Sequence, residues 1–218
     1  MGLPIPKVDN AKGAKRAKVE LRRNILDAIG PANARVFDAF AGSGLLYDAV
    51  WHEAARYVGC DTRWHQDGRT AYVADNQRVL RAIDLTAFNV FDFDAYGAPW
   101  DQLTLLGVHR PLQAGERVGI VLTEGTWLKT RTGLIPHALR RAAGLTFTTP
   151  ILSAEGYDEL IARALNGVIT RMGGRVVRHW RARGLTPARV QYIAVLLEAD
   201  GGPGPGGNGK DEPAGAAR

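Results

Sequence analysis

The stretch "RVFDAFAGSGLLYDAVW", residues 35–51, decides the fold. An apolar run reaches Asp38, a Gly42-Ser43-Gly44 turn follows, and a second apolar run starts at Leu45. This is the order of a strand, a tight turn and a helix, with bare backbone at the turn where a ligand can approach closely. Three known uses of such a turn fail on residue type. A Walker phosphate loop needs a Lys after its last glycine; none stands here, and the Asp38 carboxylate would repel a triphosphate. The dinucleotide fingerprint needs a small residue where Tyr47 stands. A hydrolase elbow needs Gly-x-Ser-x-Gly, whereas Ser43 sits in Gly-Ser-Gly. What remains is a ligand whose part nearest the turn is cationic and unphosphorylated.

Outward from this stretch, short apolar runs recur at residues 36–40, 57–60, 71–74, 89–93, 118–123, 175–180 and 190–197. Helical stretches at 45–55, 77–83, 101–108, 136–143 and 157–172 separate most of them. Strands alternating with helices predict an α/β fold, a mostly parallel sheet with helices on both faces. The last two runs are joined by "RARGLTPAR", too short for a crossover helix, so they form an antiparallel hairpin at one end of the sheet. The ten residues 61–70 between the second and third runs lie near the lower limit for a crossover.

Three acids fall at strand ends. Asp38 ends the first, where open sheets bind ligands. Asp61 ends the second, and a carboxylate there can accept from both hydroxyls of a ribose. Asp75 ends the third beside Asn76, a pair able to read an adenine amino group and ring nitrogen. Taken singly, each has a plainer reading as a helix-start charge, a turn acid or a helix cap.

"VFDAFAGSG", "YVGCD" and "YVADN" together resemble the first three motifs of class I S-adenosylmethionine-dependent methyltransferases, over roughly residues 35–197. The resemblance implies a Rossmann-like, seven-stranded sheet with S-adenosyl-L-methionine as cofactor. By the same resemblance Gly42 and Gly44 admit the methionine part, Asp38 supports its ammonium, Asp61 holds the ribose, and Asp75 with Asn76 meets the adenine.

The fourth run reads "FNVFDFDAYGAPW". A buried central strand has little reason to carry acids at its end unless they are used. Asp94-Ala95-Tyr96-Gly97 resembles the amino-methyltransferase signature of nucleic-acid enzymes, closest to the Asp-Pro-Phe/Tyr-Gly form of tRNA dimethylguanosine methyltransferases. The resemblance implies an N-methyltransferase acting on an exocyclic amino group of a base in RNA or DNA. Asp94 would accept an amine N–H and localise the nitrogen lone pair, while Tyr96 stacks on the base. Gly97 and Trp100 are candidate substrate contacts; Trp100 either lines the acceptor pocket or covers the sheet. Ala95 departs from the family's Pro, which stiffens that loop. "LTEGTWLKTRTG", with Trp127, Lys129 and Arg131, is either a substrate loop or an exposed polar loop.

The chain of 218 residues carries a formal net charge of +6, unevenly placed. In residues 1–24, Lys7, Lys12, Lys15, Arg16, Lys18, Arg22 and Arg23 face only Asp9 and Glu20. Arg175, Arg178, Arg181, Arg183 and Arg189 form a second cluster with no acid among them. Two basic patches suggest a nucleic-acid partner, RNA ahead of DNA, with Arg16 and Arg22 gripping phosphates; a solvated basic surface is the plainer reading. The organisation expected is a basic arm and helix at 1–30, a methyltransferase domain at 31–199 and a disordered Gly/Pro-rich tail at 200–218. A single cysteine, Cys60, fits a reducing cytoplasm, scattered histidines suggest no metal site, and no apolar run is long enough for a membrane span. Two other functions stay open: a noncatalytic binding subunit built on the same fold, tethering nucleic acid or a protein partner, and a methyltransferase with a small-molecule acceptor.

Overall fold

The computed structural model describes residues 12–63, 65–146, 152–183 and 189–200. The arm before residue 12 and the tail after 200 lie outside the described residues.

Seven strands form one sheet in the order β3-β2-β1-β4-β5-β7-β6. They are β1 Arg35–Asp38, β2 Arg56–Asp61, β3 Ala71–Val73, β4 Val90–Phe93, β5 Arg117–Glu124, β6 Gly174–Arg183 and β7 Gln191–Ala199. β1 through β5 pair in parallel, and β7 runs antiparallel to both β5 and β6. The hairpin expected from the short final link is therefore present. The helices are α1 Lys12–Ile29, α2 Leu45–Ala49, α3 Asn76–Ala82, α4 Trp100–His109, α5 Trp127–Thr130, α6 His137–Ala142 and α7 Ala154–Arg171. Among the described residues, no helix is long and apolar enough to cross a membrane.

Strand alternation sorts the core into two layers. Val36 of β1 and Val90 of β4 face one layer, with Leu21, Ile25 and Leu26 of α1. Phe37 and Phe91 face the other, with residues of α3, α4, α6 and α7. Ile25 and Leu26 are fully buried, each contributing roughly 1.5–3 kcal/mol of apolar transfer. α1 is seated so closely on β5 that a Cβ at Gly119 would collide with Ile25. The basic helix is thus part of the fold's second layer, and Gly30, with φ 87°, ends it and turns the chain into β1.

Two links differ from their expected form. The helix after the glycine turn stops at Ala49, Val50 leaves helical geometry, and a 3-10 turn covers Trp51–Glu53. This break points the Trp51 indole inward, where Nε1 donates to Asp92 at 2.7 Å. Between β2 and β3 no helix forms among the described residues. The two strands pair over only three positions, and the link folds back on the glycine turn instead.

Candidate active site at the carboxyl edge

The glycine turn is shaped by two left-handed residues, Gly42 at φ 48° and Gly44 at φ 88°. Its Gly42 N–H donates to Asp61 Oδ2 at 2.9 Å, and the other Asp61 oxygen accepts from Arg63 N–H at 2.8 Å. From the β2–β3 link, the Arg69 guanidinium donates to the Ala41 and Gly42 carbonyls at 3.0 and 2.7 Å and is held by Asp67. A Cβ on Gly44 would lie 3.0 Å from Arg69 Cζ, so both conformation and space keep this position glycine.

Two hollows open beside the turn, and Phe40 lines both. The smaller, of about 210 Å³, is bounded by Ala39, Cys60, Asp61, Ala74, Asp75 and Asn76, from the ends of β1, β2 and β3. Asp75 caps α3 by accepting from Arg78 N–H at 3.0 Å. The Asn76 amide is committed at both ends, donating to the Ala39 carbonyl and accepting from Gln102, each at 2.9 Å. The larger hollow, of about 350 Å³, is bounded by the turn itself, Leu45, Leu46, Lys15, Lys18, Asp94 and Tyr96.

Beneath the larger hollow lies a layer of acids covered by α1. Arg22 holds Asp92 in a bidentate pair, both bonds 2.6 Å. Lys18 Nζ stands 3.0 Å from Asp94, Arg22 is 3.8 Å from it, and the Thr123 hydroxyl donates to it at 2.5 Å. Asp38 accepts from Phe40 N–H at 3.1 Å and the Tyr57 hydroxyl at 3.0 Å. Burial, helped by the charge of Asp92, pushes Asp38 up to about 8. Burial also raises Asp92, against the pull of Arg22. Burial acts on Asp94 in the same direction, but Arg22, Lys18 and the Thr123 hydroxyl together outweigh it and hold Asp94 below the ordinary carboxylate range. Asp94 is therefore ionised at neutral pH, with its side chain 15% exposed toward the hollow.

The sequence matches no protein-family model and no curated protein. Solved structures do. Trm1 from Pyrococcus horikoshii, in complex with S-adenosyl-L-methionine, superimposes with a TM-score of 0.59 at 17% identity, covering 89% of this chain and 58% of its own. A protein described as a hemolysin, from Streptococcus thermophilus, gives 0.54 at 13% identity, over 92% and 70%. M. jannaschii TYW2, in complex with AdoMet, gives 0.52 at 13% identity, over 91% and 81%. The fold is the Rossmann-like class I methyltransferase fold. The chain spans less than two thirds of the length of Trm1, and at these identities the likeness is one of fold.

Within that methyltransferase fold, the residues singled out from the sequence part into groups. Gly42, Gly44, Asp61, Asp75 and Asn76 converge on the turn and the smaller hollow. Asp94 and Tyr96 bound the larger one, Tyr96 being 79% exposed. Gly97, at φ 101°, sits exposed on the rim. Asp38 lines neither hollow and is spent on Phe40 and Tyr57, so its carboxyl shapes the strand end from beneath. Trp100 is fully buried, its indole donating to Glu124 at 2.6 Å; it covers the sheet and does not line the acceptor hollow. Arg22 grips no phosphate, because it is buried against Asp92. Arg16 lies on the exposed face of α1.

The second basic cluster is partly paired in space, two carboxylates meeting four of its five arginines. Asp158 of α7 pairs with Arg181 at 2.7 Å, with Arg183 and, at 4.0 Å, with Arg189; Glu198 pairs with Arg175 at 3.0 Å. Sequence reasoning missed Lys18, Arg69 and Glu124 as site-shaping residues. Glu124 accepts from Trp100, from the Thr126 amide and hydroxyl and from the Tyr157 hydroxyl, which pins the segment after β5.

Proposed function

We propose that the protein is an S-adenosylmethionine-dependent methyltransferase that modifies an exocyclic amino group of a nucleobase in RNA or DNA, RNA being favoured. The observation that carries this reading is the pair of hollows meeting at Phe40 on the carboxyl edge of this fold. The smaller one offers the Asp61 and Asp75 carboxylates, which suit a ribose and an adenine amino group. The larger one offers bare backbone at Gly42 and an ionised Asp94, which suit a sulfonium and an acceptor beside it. The residues present therefore fit the cofactor, and Gly42, Gly44, Asp61, Asp75 and the wall formed by Asn76 would hold it.

When bound, S-adenosylmethionine supplies an electrophilic methyl group. The chain's part is to place and prepare the acceptor. Asp94 can accept an amine N–H, which turns the nitrogen lone pair out of conjugation with the ring. Because Lys18, Arg22 and Thr123 keep its pKa low, Asp94 acts as a hydrogen-bond acceptor, and the proton lost by the product goes to solvent. The exposed Tyr96 ring presents a stacking face for the base. Alignment of amine and methyl supplies much of the acceleration. A base that starts within a helix has to be extruded first.

Asp94→Ala should abolish tritiated methyl transfer to pooled tRNA, rRNA or DNA while S-adenosylmethionine binding persists. A variant with full transfer removes Asp94 from the chemistry. A second reading is favoured by the Lys18–Asp94 ion pair together with Ala95: a noncatalytic subunit using the same edge for binding. Transfer to a metabolite extract but to no nucleic acid would instead assign a small-molecule acceptor.

A further inference from the structure

The two basic regions are not equivalent as docking surfaces. In the second region Arg175 pairs with Glu198, and Arg181, Arg183 and Arg189 share Asp158, so a polyanion at these four has to displace internal ion pairs, whereas Arg178 is exposed with no ion pair among the described residues. The cations around Tyr96 are differently placed. Lys15 bounds the larger hollow together with Tyr96, and Arg16 follows it on the exposed face of α1. Neither has an ion pair among the described residues; Glu20 lies near Arg16 and marks the limit of the basic surface along the helix.

The segment after β5 is also tied to the loop that carries Tyr96. Gly125 N–H donates to the Gly97 carbonyl at 2.7 Å, and a Cβ on Gly125 would already touch that oxygen. α5 starts two residues later. Lys129 and Arg131 are exposed there and have no ion pair among the described residues, beside an exposed Leu128. The exposed Tyr96 ring thus shares the hollow with Lys15 of α1, while its loop is bonded to the segment that leads to the exposed Lys129 and Arg131. That arrangement suits a chain of stacked bases and regularly spaced phosphates.

We propose that a single-stranded nucleic acid crosses the carboxyl edge over Tyr96, its phosphates held by Lys15 and Arg16 on one side and by Lys129 and Arg131 on the other. The inference rests on the proposed base methylation only for which group reacts. Binding itself is tested without cofactor.

The test is fluorescence anisotropy with a short labelled single-stranded RNA of mixed sequence, titrated across a range of salt. Each phosphate contact contributes about 0.7 to the slope of log affinity against log salt for single strands. Lys15→Ala with Arg16→Ala should flatten the slope by about 1.4, Lys129→Ala with Arg131→Ala by the same amount, and all four together by about 2.8. Tyr96→Ala should weaken affinity roughly tenfold with little change in slope, because stacking releases no counterions. Arg181→Ala with Arg183→Ala should leave the slope as in the wild type. An unchanged slope in the four-residue variant overturns the path, as does flattening that tracks Arg181 and Arg183 instead. Tighter binding of a matched duplex than of the single strand also contradicts it. A wild-type chain that binds S-adenosylmethionine but no RNA refutes this path alone, whereas one that binds RNA but no S-adenosylmethionine refutes the cofactor site and leaves the path standing.

Discussion

Asp94 and Glu124 stand at the ends of neighbouring strands on the same edge of the sheet, yet they are satisfied by opposite means. Around Asp94 the partners are cations from α1, with one hydroxyl from β5. Around Glu124 the partners among the described residues are neutral donors: an indole, two hydroxyls and a backbone amide. The first environment keeps a carboxylate charged and partly open to a hollow. In the second, burial lifts the acid above its ordinary value in spite of its donors. Cations thus preserve a negative charge at the wall of the hollow, whereas neutral donors hold a buried acid as a pin between loops. The same edge carries a carboxylate open to a hollow and a buried structural acid, and the cations of α1 make the difference.

The sharpest way to break this contrast is to remove the cation. Arg22→Met leaves Asp92 without its bidentate partner in a dry layer, and folding stability should fall by about 3–5 kcal/mol in chemical denaturation. Adding Asp92→Asn should recover a large part of that loss, since the isolated charge is then gone. Equal stability of wild type and Arg22→Met would mean that the acids under α1 do not depend on the cation.

A smaller effect is expected on the neutral side. Glu124→Gln keeps the shape but offers one good acceptor where there were two, so stability should drop by about 1–3 kcal/mol. S-adenosylmethionine binding should be retained, because Glu124 lines neither hollow. Lost cofactor binding at wild-type stability would place Glu124 in the site and erase the distinction from Asp94.

The gentlest test is a pH titration of stability. Asp38 has a folded pKa of about 8, above the ordinary carboxylate value. The folded state then binds more protons than the unfolded one between those two values, so stability declines as pH rises through that window. One such group contributes a slope of at most about 1.4 kcal/mol per pH unit. Asp38→Asn should flatten this decline. An identical decline in the variant would assign it to Asp92 and Glu124, whose shifts have the same sign.

The alternation of strands with helices and the antiparallel final hairpin were legible because each run of apolar residues was bounded by helix or turn signals. So was the convergence of Gly42, Asp61 and Asp75, since ends of adjacent parallel strands must share an edge. What the sequence hid was pairing at long range. Arg22 and Asp92 are 70 positions apart, and Lys18 and Asp94 are 76 apart. Read along the chain, Arg22 was one more member of a basic helix, because nothing local tells which face of α1 meets an acid. The Arg181–Arg189 cluster lacked acids in its own segment, while Asp158 reached it from α7. Arg69 gave no signal at all: an arginine in a short link resembles any solvated one until the link folds onto the glycine turn. Trp100 failed for another reason, since an aromatic after a loop proline fits both a pocket wall and a core.

Titration calorimetry of the wild-type chain with S-adenosyl-L-methionine bears most directly on the two hollows as a single nucleoside site. Saturable one-to-one binding is the predicted result. Absence of any binding heat, from a chain that is folded by circular dichroism, would contradict it.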